Sequence, residues 1–260
     1  MSGSPVNSSD LRGKVALVTG ASRGIGRSIA LALAANGAFV AVHYGQSAEA
    51  AHAVVGQIEA AGGHAVAVAA DLAQRGAPFE LFASLDGLLQ ARLGSPKFDI
   101  LVNNAGIGKR ATIEDISEAD FDRILQVNLK APFFIIQQAL TRLRNGGRII
   151  NVSSMGTRAA YPVMAAYTPS KAGLEALTVL LAEQLGARAI TVNAVLPGAT
   201  ATDMNPAASD PSGARELAKT IALRRVGQPE DIADIVSFLA SDAARWVTAQ
   251  RIDASGGQRL

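Results

Sequence analysis

Residues 14–26 read Lys14-Val-Ala-Leu-Val-Thr19-Gly20-Ala-Ser-Arg23-Gly24-Ile-Gly26. The apolar, β-branched start of this stretch is typical of a parallel strand buried on both faces. A glycine-rich turn follows, and then a helical pattern that ends at Asn36-Gly37. In this order, the glycines let the backbone approach a pyrophosphate, and the helix N-terminus offers free amides. The stretch therefore predicts an α/β fold with a phosphate-binding turn after its first strand.

The rest of the chain alternates short apolar runs with helical patterns, which indicates repeated strand-helix-strand units. Further strands are predicted at 38–44, 64–70, 98–102, 147–152, 189–196 and 250–253. Helices are predicted at 27–35, 47–61, 74–93, 117–144 with a kink near Pro132, 167–186 and 229–240. At 260 residues and 49% hydrophobic, the chain fits one domain over residues 11–260, after a flexible Ser-rich tail at residues 1–10.

The composition argues against several kinds of function. The 24 basic and 22 acidic residues form no basic run, so neither nucleic acid nor an anionic membrane is expected as a partner. The sequence contains no cysteine, and its three histidines lack metal-ligand spacing, so no metal site is expected. No apolar run is long enough to span a membrane, and the N-terminus lacks the pattern of a secretory signal. We therefore expect a cytoplasmic protein with a small-molecule partner.

The residues after the second predicted strand bear on the choice of cofactor. NAD-binding proteins with such a turn carry an acidic residue about 20 positions further on, which binds the ribose 2′-hydroxyl. Here the corresponding stretch is His43-Tyr44-Gly45-Gln46-Ser47, which has no carboxylate. Together with Arg23 inside the glycine turn, this favours the 2′-phosphate of NADP. The alternative is that Arg23 simply faces solvent.

Polar and small residues follow two other predicted strands. Asp71 comes after the third strand, where its carboxylate can hydrogen-bond an adenine amino group or be a solvated turn residue. Asn103-Asn104-Ala105-Gly106 follows the fourth strand and allows close approach of a ligand or of neighbouring backbone. Asn128 falls inside a predicted helix. Because a buried amide there is unfavourable unless it is paired, Asn128 is either hydrogen-bonded to neighbouring backbone and water or exposed.

Tyr167 and Lys171 are four residues apart in a predicted helix, so their side chains can address one small volume. A nearby cation lowers the pKa of a tyrosine from its usual value of about 10, which suits the phenol to acid-base catalysis. Ser154 follows the fifth predicted strand, where its hydroxyl can lie beside the phenol. A tyrosine and a lysine at this spacing can also have no catalytic role, when the aromatic ring is half-buried and the charge is solvated. We interpret it as catalytic because of its context.

The segment 199–214, after the sixth strand, is polar, rich in proline and without periodicity. We predict that it is a mobile lid over a pocket, within a substrate loop at about 199–225. The alternative is a disordered surface loop without function.

Taken together, these motifs closely resemble the short-chain dehydrogenase/reductase family, especially its 3-oxoacyl-[acyl-carrier-protein] reductase-like members. The resemblance covers residues 11–260 and includes the Pro197-Gly198 turn. It implies a single Rossmann domain, with a seven-stranded parallel sheet flanked by helices on both faces, assembled as a homotetramer.

The resemblance also implies the roles of the catalytic residues. Tyr167 is expected to be the general acid for carbonyl reduction, and Ser154 to hold the substrate oxygen. Lys171 is expected to lower the pKa of Tyr167 and to bind the nicotinamide ribose. Asn128 is expected to fix a water that links Lys171 to solvent.

The cofactor contacts follow from the same resemblance. The phosphates are expected at Gly20, Ser22, Arg23, Gly24, Ile25 and Gly26. The adenosine end is expected at Tyr44, Ser47, Asp71 and Leu72. The ribose region is expected at Asn104, Ala105, Gly106, Tyr167 and Lys171, and the nicotinamide end at Pro197, Gly198, Thr200 and Thr202.

The resulting hypothesis is NADPH-dependent reduction of a ketone or a 3-oxoacyl group, with a small carbonyl compound or an acyl thioester as substrate. One alternative is an NAD-dependent dehydrogenase of an alcohol, sugar or steroid, against which Arg23 and the missing carboxylate argue. Another is a non-catalytic NADP-binding redox sensor. A sensor would not need the four catalytic positions, all of which are filled.

Overall fold

The computed structural model describes residues 10–259, and a seven-stranded sheet forms its centre. The strands are β1 (Val15–Val18), β2 (Phe39–Tyr44), β3 (His64–Ala69), β4 (Phe98–Asn103), β5 (Leu143–Val152), β6 (Thr191–Pro197) and β7 (Arg251–Ala254). All neighbouring strands are parallel, in the order β3-β2-β1-β4-β5-β6-β7. The order reverses between β1 and β4, which places a ligand crevice at their carboxyl ends. The predicted fold class is confirmed.

Nine α-helices lie within residues 10–259. They are α1 (Gly24–Ala35), α2 (Ala48–Ala60), α3 (Ala77–Leu93), α4 (Glu118–Leu125), α5 (Ala131–Ala139), α6 (Tyr167–Leu185), α7 (Pro206–Ser209), α8 (Pro211–Ala218) and α9 (Pro229–Ala240). A π-helical segment, Gln126–Lys130, joins α4 to α5. None of these helices is long and apolar enough to cross a membrane. The predicted flexible tail lies outside the described residues, apart from Asp10.

Two apolar layers cover the sheet, one on each face. Side chains alternate along a strand, so Ala16 and Val18 of β1 face one layer and Val15 and Leu17 face the other. The first layer contains buried residues of α1, α2 and α9, and the second contains buried residues of α3, α5 and α6. This two-sided burial explains why β1 reads as a continuous apolar run.

The kink predicted near Pro132 takes the form of the π-helical segment just before it. Proline has no N–H, so Pro132 cannot donate a helical hydrogen bond to the backbone carbonyl of Asn128. The regular pattern of the helix is therefore interrupted at this point.

The helix predicted at 117–144 extends too far towards the C-terminus. In the structure, α5 ends at Ala139 and β5 begins at Leu143. β5 was predicted only from residue 147. Leu143 pairs with Phe98 of β4, and its side chain is buried in the core. This contact with a distant strand, rather than local periodicity, determines where β5 begins.

The segment 199–214 is not aperiodic, since it contains α7 and the start of α8. Pro206 and Pro211 occupy first positions of these helices, where the missing N–H costs nothing. The Asp210 carboxylate caps α8 by accepting hydrogen bonds from the N–H groups of Ser212 and Gly213. The prediction missed these helices because it interpreted proline as a loop signal instead of a helix start, while the role of the segment as a mobile lid stays a prediction.

Candidate active site

The four predicted catalytic residues lie near the carboxyl ends of the central strands. Ser154 is the second residue after β5, Tyr167 and Lys171 occupy the first two turns of α6, and Asn128 lies in the π-helical segment. A Cβ added at Gly106 would be 3.2 Å from Lys171 Nζ and 3.4 Å from Asn128 Oδ1. Lys171 Nζ is 5.8 Å from the centre of the Tyr167 ring. The structure therefore brings these side chains around one small volume.

The ammonium group of Lys171 is held inside the protein. Its side chain is only 3% exposed, and Nζ donates a 2.8 Å hydrogen bond to the backbone carbonyl of Val152. Burial lowers the pKa of Lys171 to about 8, and the negative charge of Glu175 opposes that shift. Lys171 is therefore mainly protonated at neutral pH and presents a cation beside Tyr167.

The pKa of Tyr167 does not shift in the predicted direction. Burial raises the pKa of Tyr167 above its usual value, and the Ser154 hydroxyl acts in the opposite direction. The net shift in the chain alone is therefore opposite to the predicted one, and a lowering of this pKa by Lys171 stays a prediction. The phenol stays protonated at neutral pH, which is the state that a proton donor needs.

Asn128 is fully buried, and its side chain is paired. Its Oδ1 accepts a hydrogen bond from the N–H of Ile107, and its Nδ2 donates to the carbonyl of Ile107 and to the hydroxyl of Ser170, at 2.9, 2.9 and 3.0 Å. Of the two alternatives for Asn128, the paired one is correct. The side chain of Asn128 thus joins the loop after β4 to α6, and its predicted contact with a relay water stays a prediction.

The predicted phosphate contacts lie in the turn after β1 and in the first turn of α1. Gly20 has a φ of +63°, and a Cβ added there would lie 2.8 Å from Ala105 Cα. A Cβ on Gly26 would overlap the carbonyl of Gly20. Arg23 stands at the N-cap of α1 and makes no side-chain cap, so the first amides of this helix have no side-chain partner there. The turn therefore fits the diphosphate of a dinucleotide. Its residues are Gly20, Ser22, Arg23, Gly24, Ile25 and Gly26.

The loop after β4 supports this glycine turn. Thr19 Oγ1 accepts hydrogen bonds from the N–H groups of Asn104 and Ala105, each at 3.0 Å. Asn104 Nδ2 donates to the carbonyls of Thr19 and Gly20, at 2.9 and 3.0 Å. The amide nitrogen of the Asn104 side chain and the backbone N–H are thus used inside the protein, and the contact of Asn104 with the ribose region stays a prediction.

His43 also supports the turn and was missed in the sequence analysis. Its side chain is 2% exposed, its Nδ1 accepts a 3.0 Å hydrogen bond from the N–H of Gly20, and its Nε2 lies 3.0 Å from the carbonyl of Ala70. This arrangement requires the neutral ring with its proton on Nε2. Burial lowers the pKa of His43 to about 4, so the ring stays neutral. A lone histidine inside an apolar strand was the available signal.

The predicted adenosine contacts lie at the ends of β2 and β3: Tyr44, Ser47, Asp71 and Leu72. The Asp71 carboxylate accepts hydrogen bonds from Ala73 N–H and Gln74 Nε2, at 3.1 and 3.4 Å. A groove of about 750 Å³ opens beside it. The residues that line the groove include Gln46, Asp71, Arg75, Arg123 and Gln126. Leu72 is buried, and its carbonyl accepts a 3.4 Å hydrogen bond from Gln126 Nε2.

Arg23 lies at the open side of the site. Its side chain is 72% exposed, and Nη1 is 3.6 Å from the Asp203 carboxylate, which is 76% exposed. Without a ligand, the side chain of Arg23 therefore faces solvent, as the alternative interpretation expects. Its contact with a 2′-phosphate stays a prediction.

At the predicted nicotinamide end, Pro197 closes β6 and Gly198 follows it. The side chain of Thr200 is buried and donates a 3.1 Å hydrogen bond to the carbonyl of Gly198. A Cβ on Gly24 would lie 3.4 Å from Thr202 Cγ2. Thr202 is thus the threonine beside the glycine turn, whereas Thr200 stabilises its own loop.

Known proteins share this architecture along nearly the whole chain. A protein-family model described as enoyl-(acyl carrier protein) reductase matches residues 20–259. The chain is 44% identical over 254 residues to an uncharacterized oxidoreductase of Methylorubrum extorquens, covering 96% of this chain and 100% of that protein. It is 44% identical over 249 residues to the 3-oxoacyl-[acyl-carrier-protein] reductase FabG of Staphylococcus aureus. That match covers 95% of this chain and 98% of FabG.

A solved structure with the same fold is that of the angucycline C-6 ketoreductase LanV with bound NADP. It shares 47% sequence identity with this chain and superposes with a TM-score of 0.93. The match covers 96% of this chain and 97% of LanV. The chain therefore belongs to the short-chain dehydrogenase/reductase family of oxidoreductases.

Proposed function

We propose that this oxidoreductase uses NADPH to reduce a ketone or a 3-oxoacyl group to the alcohol. The observation that carries the proposal is the pairing of a protonated phenol, Tyr167, with the buried ammonium of Lys171 5.8 Å from its ring centre. Ser154 lies beside the same phenol. FabG of Staphylococcus aureus is named a 3-oxoacyl reductase and LanV a ketoreductase, which supports the direction of the reaction.

In the proposed reaction, NADPH held at the glycine turn would supply the hydride that the carbonyl carbon receives. The Ser154 hydroxyl donates a hydrogen bond to the carbonyl oxygen and holds it beside Tyr167. As negative charge develops on that oxygen, Tyr167 gives it the phenolic proton, and the alcohol is formed. The Lys171 ammonium stabilises the phenolate that remains.

Tyr167 must then regain its proton. Lys171, whose pKa is about 8, can exchange a proton near neutral pH. The Asn128 carbonyl, which has no helical donor from Pro132, is the proposed holder of a water between Lys171 and solvent.

NADP is the proposed cofactor because the stretch 43–47 has no carboxylate and Arg23 stands in the glycine turn. LanV was solved with bound NADP, which agrees with this choice. Tyr44 and Ser47 are the proposed further contacts of the adenosine end. The alternative is NAD-dependent oxidation of an alcohol, sugar or steroid.

Self-association is part of the proposal. Helices α4 to α6 leave four large apolar side chains exposed: Phe121, Phe133, Val179 and Leu180. A second group, Phe238 on α9 and Trp246, is 44% and 96% exposed. Two separate apolar faces are what a homotetramer with two kinds of two-fold interface needs. A monomer by light scattering at micromolar concentration would contradict this assembly.

The function is tested by mixing the purified protein with NADPH or NADH and a panel of carbonyl compounds: a 3-oxoacyl thioester, an aromatic polyketide ketone and a keto sugar. We expect oxidation of NADPH with at least one compound, and a preference over NADH of about tenfold or more. Preference for NADH with alcohol oxidation would support the dehydrogenase alternative. Cofactor binding without turnover across the panel would support the redox sensor.

A further inference from the structure

Glu175 is a buried carboxylate that the proposed reaction does not use. It stands on α6 one helical turn after Lys171, and its side chain is only 6% exposed. Carboxylates are rarely buried unless they are hydrogen-bonded or paired with a cation, because burial removes their hydration. Its position among the apolar residues of α6 therefore calls for a specific role.

The contacts of Glu175 lead to the end of β5. Its Oε1 accepts a 2.5 Å hydrogen bond from the hydroxyl of Ser153, the residue before Ser154. The N–H of Ser153 donates to the carbonyl of Val195 on β6, at 2.8 Å. Oε2 of Glu175 is 3.9 Å from Nη1 of Arg251 on β7. Glu175 thus ties α6 to the backbone that presents Ser154.

The same carboxylate acts on Lys171. Residues four apart on a helix have Cβ atoms about 5–6 Å apart, so the two charges attract each other through the protein interior. Burial lowers the pKa of Lys171, and Glu175 is the group that raises it. The other charged or titratable side chains against the pair are Tyr167 on α6 and Arg251 on β7. The end of β5 contributes the Ser153 hydroxyl and the Val152 carbonyl.

We propose that Glu175 is a positioning residue for the reaction, which keeps Lys171 in its ammonium form and fixes the Ser153-Ser154 backbone beside Tyr167. It touches neither substrate nor cofactor and acts through Lys171 and Ser153. The inference rests on the proposed function, in which the Lys171 ammonium stabilises the Tyr167 phenolate.

The test compares Glu175→Gln with Glu183→Gln. Glutamine keeps the size of Glu175 and an oxygen that accepts the Ser153 hydrogen bond, but it removes the charge. Glu183 is an exposed residue of the same helix, so its substitution makes the same change in net charge away from the site. Without Glu175, Lys171 loses its proton at a lower pH. The alkaline limb of kcat/KM for NADPH-dependent reduction should therefore move down by about 0.5 to 1 pH unit in Glu175→Gln and stay in place in Glu183→Gln.

A second readout needs no cofactor. Burial depresses the pKa of Lys171 to about 8, below its usual value of about 10.4 in an unfolded chain. Between these two values the unfolded state binds more protons, so the contribution of Lys171 to stability rises with pH. In Glu175→Gln, that rise in the free energy of unfolding should begin at a lower pH than in the wild type.

Glu175→Asp separates the charge from the contact, because it keeps the charge and shortens the side chain by one methylene. Its alkaline limb should stay near that of the wild type even if the protein becomes less stable. A lower melting temperature of Glu175→Gln with an unmoved limb would overturn the inference, since Glu175 would then be merely structural. If wild-type protein reduces no carbonyl, the proposed function fails, while the cofactor-free pH profile still reports whether Glu175 controls Lys171.

Discussion

The two ends of the proposed cofactor site are built in different ways. At the catalytic end, Lys171 and Asn128 are 3% and 0% exposed and make hydrogen bonds inside the protein. At the end proposed for the 2′-phosphate, Arg23 and Asp203 are 72% and 76% exposed and stand 3.6 Å apart. An exposed ion pair of this kind contributes about 0–1 kcal/mol. The geometry proposed for catalysis is thus set in the chain alone, whereas the groups proposed to choose the cofactor are loosely held.

This difference has a physical reason. Proton transfer requires donor and acceptor atoms within a few tenths of an ångström of the productive position, and buried hydrogen bonds provide that order in advance. A phosphate is a large anion that a mobile guanidinium can follow. The catalytic end should therefore be sensitive to single substitutions, and the phosphate end should be tunable.

The largest effect is expected for Tyr167→Phe, which removes the proposed proton donor and little else. We expect kcat to fall by about 10²- to 10⁴-fold, the usual contribution of a general acid. NADPH affinity, measured by calorimetry, should stay within about threefold of the wild type, since the variant loses one expected contact with the ribose region and keeps all the expected phosphate contacts. Retention of most activity by a folded variant would show that Tyr167 is not the acid.

Asn128→Ala should act on stability. It removes three hydrogen bonds and leaves the N–H of Ile107 without its partner. We expect the free energy of unfolding, from urea denaturation, to fall by about 2–4 kcal/mol. Asn145→Ala is the matched control, because its amide is exposed and accepts one hydrogen bond from Arg188. Equal losses in both variants would mean that the buried hydrogen bonds between the β4 loop and α6 contribute no more to the free energy of unfolding than an exposed hydrogen bond does.

A smaller effect is expected at the phosphate end for Arg23→Gln. Loss of this cation should weaken NADPH binding about tenfold, or about 1.4 kcal/mol, and leave NADH binding unchanged. Arg27→Gln is the control, because Arg27 stands on the same helix and donates to Gln57 instead. If Arg23→Gln weakened NADH and NADPH equally, Arg23 would not be a ligand of the 2′-phosphate.

Asp203→Asn in the same titration should have the opposite sign. It frees Arg23 from its acidic neighbour, so NADPH should bind about two- to threefold more tightly, in line with the small free energy of an exposed pair. Weaker binding would show that Asp203 helps to hold the cofactor.

Features that depend on local periodicity or on motif spacing were predictable. The run before Gly20 indicated a buried parallel strand, and the spacing of Tyr167 and Lys171 placed both on one face of a helix. The predicted helix at 229–240 agrees with α9, because a proline start and apolar periodicity are local signals. The order of the motifs was sufficient to predict the fold class, since it follows from repeated strand-helix-strand units.

Features that depend on contacts between distant segments were not predictable in this way. The start of β5 follows from pairing with β4, the partners of Asn128 come from the loop after β4 and from α6, and Glu175 meets Ser153 across two elements. The raised pKa of Tyr167 is of the same kind, because the spacing showed the nearby cation but not the burial that raises this pKa. Burial and cross-element hydrogen bonds arise only when the chain is packed, so the composition of a motif cannot report them.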